Sequence, residues 1–142
     1  MQSGELRILA FLCRWCAYDG ADAAGRARLE VPAEVHEVRV MCSGQVDAGM
    51  ILAAFASGAD GVMVLGCPPG DCHYRSGNLS ALKRMLLIRA VLGPTAIDPK
   101  RLRIDWVRAG EADQYARIAQ DLAAKVRSLG PLALGQPSER SA

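Results

Sequence analysis

Four short apolar runs, each followed by a stretch of different periodicity, constrain the fold of this chain more than any other feature. Arg7 to Leu12 (RILAFL) reads as a buried strand. Val35 to Met41 (VHEVRVM) alternates with period two. Asp60 to Gly66 (DGVMVLG) is β-branched and bounded by glycines, and Leu102 to Val107 (LRIDWV) alternates again. Helical spacing fills the gaps. Val46 to Ser57 places Val46, Met50, Ile51, Ala54 and Phe55 on one side, and Gly58 suits its C-terminal cap. Asn78 to Leu92 places Leu79, Leu82, Met85, Leu86 and Val91 near one face and stops at Gly93-Pro94. Glu111 to Leu129 carries Tyr115, Ile118, Ala119, Leu122, Val126 and Leu129 and ends at Gly130-Pro131. Tyr18 to Leu29 reads as a first helix, weakened by Gly20 and Gly25. Strand and helix alternating at this spacing predict βαβ units. The expected fold is α/β: a small three-layer sandwich around a four-stranded, mainly parallel sheet, flavodoxin-like or Rossmann-like. A length of 142 residues fits one domain. Residues 6–130 are expected to form it, with residues 131–142 as a flexible tail.

Charge and composition exclude several partner classes. A net charge of +2 is too mild to argue for nucleic acid or an anionic membrane, and 5% aromatics are too few for base-stacking platforms. No apolar run reaches the roughly 18–20 residues needed for a bilayer span; the longest, Met85 to Leu92, is broken by Arg89. Leu6 to Leu12 is apolar but only a strand's length, and no small-residue cleavage site follows it. A soluble, cytoplasmic protein is the expectation. The phosphate-cradling glycine motifs are absent, as are Ser-His-Asp and H-E-x-x-H arrangements, so the usual sites of an independent hydrolase or dehydrogenase are missing.

The cysteines are the informative residues. There are five, an odd count. Cys13 and Cys16 follow the first strand as C-x2-C, Cys42 follows the second, and Cys67 and Cys72 follow the third as C-x4-C. In an open parallel sheet the carboxyl ends of the strands share one edge, where ligand sites form beside a topological switch point. The fold itself is therefore expected to gather the thiols. Two close pairs and a fifth thiol suit a site with about four thiolate ligands, either a structural zinc or an iron–sulfur cluster. Ordinary buried cysteines are the bland alternative, but Gly66-Cys67-Pro68-Pro69-Gly70-Asp71-Cys72 reads as a turn, not as core. Zinc commonly staples domains that lack a core, and this one has a core. Backbone N–H groups of Gly66, Gly70 and Ser43-Gly44 can serve cluster sulfurs. Both observations tilt the reading toward a cluster. A thiol–disulfide oxidoreductase using Cys13 and Cys16 is a third possibility. Trp15 and the His73-Tyr74 pair suit a partner contact, Asp71 suits a loop cap, and His36 in its strand reads as structural.

These segments have a counterpart. Ala10-Phe11-Leu12-Cys13-Arg14-Trp15-Cys16-Ala17-Tyr18, Arg39-Val40-Met41-Cys42-Ser43-Gly44 and Val64-Leu65-Gly66-Cys67-Pro68-Pro69-Gly70-Asp71-Cys72-His73-Tyr74 resemble the methyl-viologen-reducing hydrogenase delta subunit family, also called the hydrogenase iron–sulfur subunit. The resemblance spans residues 6–130. It implies a non-catalytic electron-transfer subunit of an oxidoreductase complex, carrying one [2Fe–2S] cluster. It implies a relay between a partner oxidoreductase, often a [NiFe] hydrogenase, and the flavin-containing subunit of a heterodisulfide reductase or a homologue, which can bifurcate electrons. It carries over Cys13, Cys16, Cys42, Cys67 and Cys72 as candidate metal ligands, one more thiol than a two-iron cluster needs. The sequence departs from the family at Gln45, where a basic residue is frequent, and at Pro68, where a histidine is frequent.

Overall fold

The computed structural model describes residues 6–67, 77–93, 95 and 97–132. In chain order the elements are β1 (Ile8–Cys13), α1 (Ala17–Arg26), β2 (Val35–Val40), α2 (Ala48–Ala56), β3 (Gly61–Gly66), α3 (Gly77–Leu92), β4 (Leu102–Trp106) and α4 (Ala112–Leu129). One-turn 3-10 helices at Ser43–Gln45 and Pro99–Arg101 precede α2 and β4. The strands form one sheet in the order β2-β1-β3-β4, and every neighbouring pair is parallel. This is the order of the first four strands of the 2-1-3-4-5 flavodoxin-like arrangement, not the 3-2-1-4 Rossmann order. The order reverses between β1 and β3, so the switch point lies there.

Period-two alternation in the two central strands builds both halves of the core. Ile8, Ala10 and Leu12 of β1 and Met63 and Leu65 of β3 pack with α1 and α4, among Ala17, Ala21, Tyr115, Ile118 and Leu122. Phe11 of β1 and Val62 and Val64 of β3 face the other way, onto Ile51, Phe55, Met85, Ile88 and Leu92 of α2 and α3. All six residues of β3 are buried, as a central parallel strand requires.

Three helices differ from expectation. α1 stops at Arg26 because Arg28 adopts a left-handed φ of 58° and the chain closes a Schellman motif, Leu29 N–H donating to Ala24 O and Arg28 N–H to Gly25 O. Gly20 lies inside this helix and serves its packing: a Cβ there would lie 2.7 Å from Val107 Cγ1, so glycine lets α1 close on the strand-end loop. α2 begins two residues later than expected, because Asp47 is its N-cap and accepts Met50 N–H at 2.8 Å. In α3 the expected apolar face is only partly the core face. Ala81, Met85, Ile88 and Leu92 are buried, whereas Leu79, Leu86 and Val91 are exposed. The helix's cations Lys83, Arg84 and Arg89 are spread around the axis, so periodicity does not select a face. His36 is exposed on edge strand β2.

Tyr115 of α4 is fully buried and donates its hydroxyl hydrogen bond to Glu37 of β2, tying the C-terminal helix to the edge strand. Burial first, then the hydrogen bond and charge of Glu37, hold the phenol well above its ordinary pKa. The unfolded phenol ionises near pH 10, so this contribution to stability is complete below pH 10 and is lost as pH rises above it. Tyr115→Phe is expected to cost about 1 kcal/mol at neutral pH. Urea titrations from pH 8 to pH 11 should find that difference shrinking, because the variant lacks this ionisation.

Candidate metal centre

The carboxyl ends of β2, β1 and β3 are adjacent, and each brings a thiol. Cys13 is the last residue of β1 and Cys67 the first after β3. Leu12 pairs with Leu65 in the parallel register, so Cys13 stands level with Gly66, one residue before Cys67, and the two cysteines leave their strands as neighbours across the switch point. Their sulfurs are 3.6 Å apart, and both residues are buried. Two thiolates held about 2.3 Å from one tetrahedral ion lie about 3.8 Å apart, so this pair fits two corners of one metal's coordination shell. Cys16 takes the N-cap position of α1 and is buried. Cys42 caps the Ser43–Gln45 turn, its Sγ accepting Gly44 N–H at 3.4 Å. Cys72, with Asp71, His73 and Tyr74, lies outside the described residues. Among the described residues, no three or more His, Cys, Asp or Glu side chains cluster closely enough to share an ion; the Cys13–Cys67 pair is the juxtaposition on view.

Burial pushes the Cys13 thiol up to about 11, with the neighbouring Cys67 adding to the rise. Its S–H also points to Met41 O at 3.9 Å. An attacking thiol in disulfide exchange needs a lowered pKa. Cys13 has the opposite shift, and the sulfur beside it is that of Cys67. A buried thiol beside a second sulfur instead suits a ligand that surrenders its proton to a metal.

The loop after β2 is held from several sides. Arg84 of α3 donates to Gly44 O at 2.8 Å and Val46 O at 2.7 Å. Gln45 Oε1 accepts Met41 N–H at 3.1 Å across the turn. A lysine or arginine at position 45, having no acceptor, could not close the turn in this way. Gly66, directly before Cys67, leaves room for Ser43: a Cβ there would lie 2.5 Å from Ser43 Oγ. Arg84 is the residue that sequence reasoning missed as part of the site; at Ser43 that reasoning named the backbone N–H and not the hydroxyl. Arg84 is one of three cations in α3, with Lys83 and Arg89, so no signal in the sequence singled it out. On the rim, Trp15 and Met41 are exposed, with the Arg14 guanidinium over the Trp15 ring at 5.3 Å.

A flavodoxin-ordered α/β domain whose strand ends converge as thiols defines a class of small sheet-edge thiolate domains. Residues 8–130 match the family model described as methyl-viologen-reducing hydrogenase, delta subunit, and the chain belongs to that family. It is 38% identical over 133 residues to the F420-non-reducing hydrogenase vhc iron-sulfur subunit of Methanococcus voltae, covering 94% of this chain and 92% of that protein. It is 42% identical over 127 residues to the F420-non-reducing hydrogenase iron-sulfur subunit of Archaeoglobus profundus, covering 89% and 93%. It is also 39% identical over 125 residues to one subunit of the ferredoxin/F420H2-dependent CoB-CoM heterodisulfide reductase of Methanosarcina acetivorans, covering 88% of this chain but 16% of that protein. Among the described residues no helix is long and apolar enough to cross a membrane.

Proposed function

We propose that this chain is a non-catalytic electron-relay subunit carrying one [2Fe–2S] cluster at the carboxyl edge of its sheet. Four of Cys13, Cys16, Cys42, Cys67 and Cys72 hold the cluster. Residues 6–130 form the electron-transfer domain, which works in the cytoplasm. The chain relays electrons between a partner oxidoreductase, such as a [NiFe] hydrogenase, and the flavin subunit of a heterodisulfide-reductase-like, electron-bifurcating complex. One observation carries the reading: the Cys13 and Cys67 sulfurs, 54 residues apart in sequence, stand 3.6 Å apart at the switch point. Relatives named as hydrogenase iron-sulfur subunits support the cofactor class and the donor side. The similarity to a stretch of longer heterodisulfide reductase chains supports the acceptor side.

When bound, such a cluster supplies a one-electron donor and acceptor. The chain's own residues do the rest. Burial of Cys13 and Cys67 keeps water from the centre. Cys13, whose burial holds its proton, must release it on loading. Trp15 and Met41 form an exposed apolar rim through which a partner can approach. The test is the visible spectrum of anaerobically purified protein with iron and sulfide counts. About two of each per chain are expected; colourless protein holding one zinc instead would overturn the reading in favour of a zinc-stapled interaction module.

A further inference from the structure

Among the described residues at this edge, the Ser43 hydroxyl is a buried polar group without a hydrogen-bond partner. Ser43 is 1% exposed, and its Oγ has no hydrogen-bond partner among the described residues. Buried hydroxyls are nearly always satisfied, by protein, by water or by a bound group. This one is held in place on three sides. Its own carbonyl accepts Val46 N–H at 3.1 Å, closing the 3-10 turn. Arg84 fixes the two carbonyls that flank Gln45, those of Gly44 and Val46. The missing side chain of Gly66 gives Oγ its space, since a Cβ there would come within 2.5 Å of it. Ser43 directly follows Cys42 and packs on the residue directly before Cys67. A hydroxyl this fixed, between two candidate ligands, points to an acceptor that arrives with the metal.

We infer that Ser43 Oγ–H donates a hydrogen bond to a sulfur of the bound cluster and so raises its reduction potential. The inference rests on the proposed cluster. The physical reason is charge: reduction adds one negative charge to the cluster, and a donor aimed at its sulfur stabilises that more negative form. Without the cluster, the same hydroxyl is a buried group lacking a partner, so its removal relieves the apo protein of an uncompensated desolvation.

The test compares wild type, Ser43→Ala and Ser43→Thr as full-length, cluster-loaded proteins by anaerobic redox titration. The apo forms are compared by thermal melting. Ser43→Ala is expected to shift the reduced-to-oxidised ratio at fixed potential about tenfold toward oxidised, a fall of about 59 mV for one electron. Ser43→Thr, which keeps the hydroxyl, is expected to stay close to wild type. Apo Ser43→Ala is expected to melt no lower than apo wild type. An unchanged potential in Ser43→Ala would mean that a trapped water satisfies the hydroxyl, and would overturn the inference. So would an apo Ser43→Ala that melts lower or does not fold, since Ser43 would then be a structural residue. A lowered potential in Ser43→Thr would also count against it. Wild type that assembles no cluster would instead overturn the reading of the centre, and this inference with it.

Discussion

Cys13→Ala is expected to leave a folded protein that has lost its cluster. The residue is 2% exposed, ends a central strand and stands 3.6 Å from Cys67 in sulfur–sulfur distance. Removing its sulfur leaves only a small void, costing about 1 kcal/mol, so far-ultraviolet circular dichroism should be unchanged. The iron retained after desalting should fall at least about tenfold, because a ligand at the switch point cannot be replaced from the neighbouring core. The same measurement across all five alanine variants resolves the odd cysteine. With four ligand positions, one variant should keep its iron, and that variant should be neither Cys13→Ala nor Cys67→Ala. Wild-type iron content in Cys13→Ala would remove the pair from the ligand set.

Asp60→Ala is expected to damage the fold rather than the centre. Asp60 is 5% exposed and sits at the opposite, amino edge of β3. Its carboxylate accepts the backbone N–H of Arg7 at 2.9 Å and that of Leu132 at 2.8 Å. Its carbonyl accepts from the guanidinium of Arg101, itself 5% exposed, at 2.9 Å. The side chain thus joins the start of β1 to the segment after α4, so Leu132, within the expected tail, is tied to the core. Alanine strands two backbone donors, those of Arg7 and Leu132. The expected loss is about 3 kcal/mol in urea denaturation. Asp60→Asn, which keeps one acceptor oxygen, should fall between. Iron per folded chain should be unchanged in both, because the centre lies at the other end of the strands. A loss below about 1 kcal/mol would mean that these bonds add little net stability.

Much of the architecture was legible because β1 and β3 carry their own instructions. Runs such as GVMVLG alternate between two buried faces, and the helices α2 and α4 keep a one-sided stripe. The outward side of α3 was not legible, since Leu79, Leu86 and Val91 look like core residues in a helix without a polar face. Strand order was legible only as two alternatives, because sequence spacing does not say whether the third strand pairs with β1 or with β2. The strand-end placement of Cys13, Cys42 and Cys67 was legible, but the closeness of Cys13 to Cys67 depends on strand register, which spacing does not give. Arg84 and the Ser43 hydroxyl left no pattern to read. A serine after a cysteine is commonplace, and the reach of Arg84 to Gly44 and Val46 depends on how α3 lies over the loop.

The strand order also sets a timetable for maturation. Cys13 leaves the ribosome early, but its sulfur neighbour belongs to a strand that follows a complete crossover, and β1 must accept β2 on one side and β3 on the other before the two thiols meet. Closing a loop of this length has an entropic cost that grows only slowly with length, and the two-sided core offsets it. With a metal bound as proposed, its ligands come together as the sheet forms, so loading is expected to be coupled to folding of this edge. A protein that delivers the metal is then expected to recognise the assembled edge rather than a linear segment.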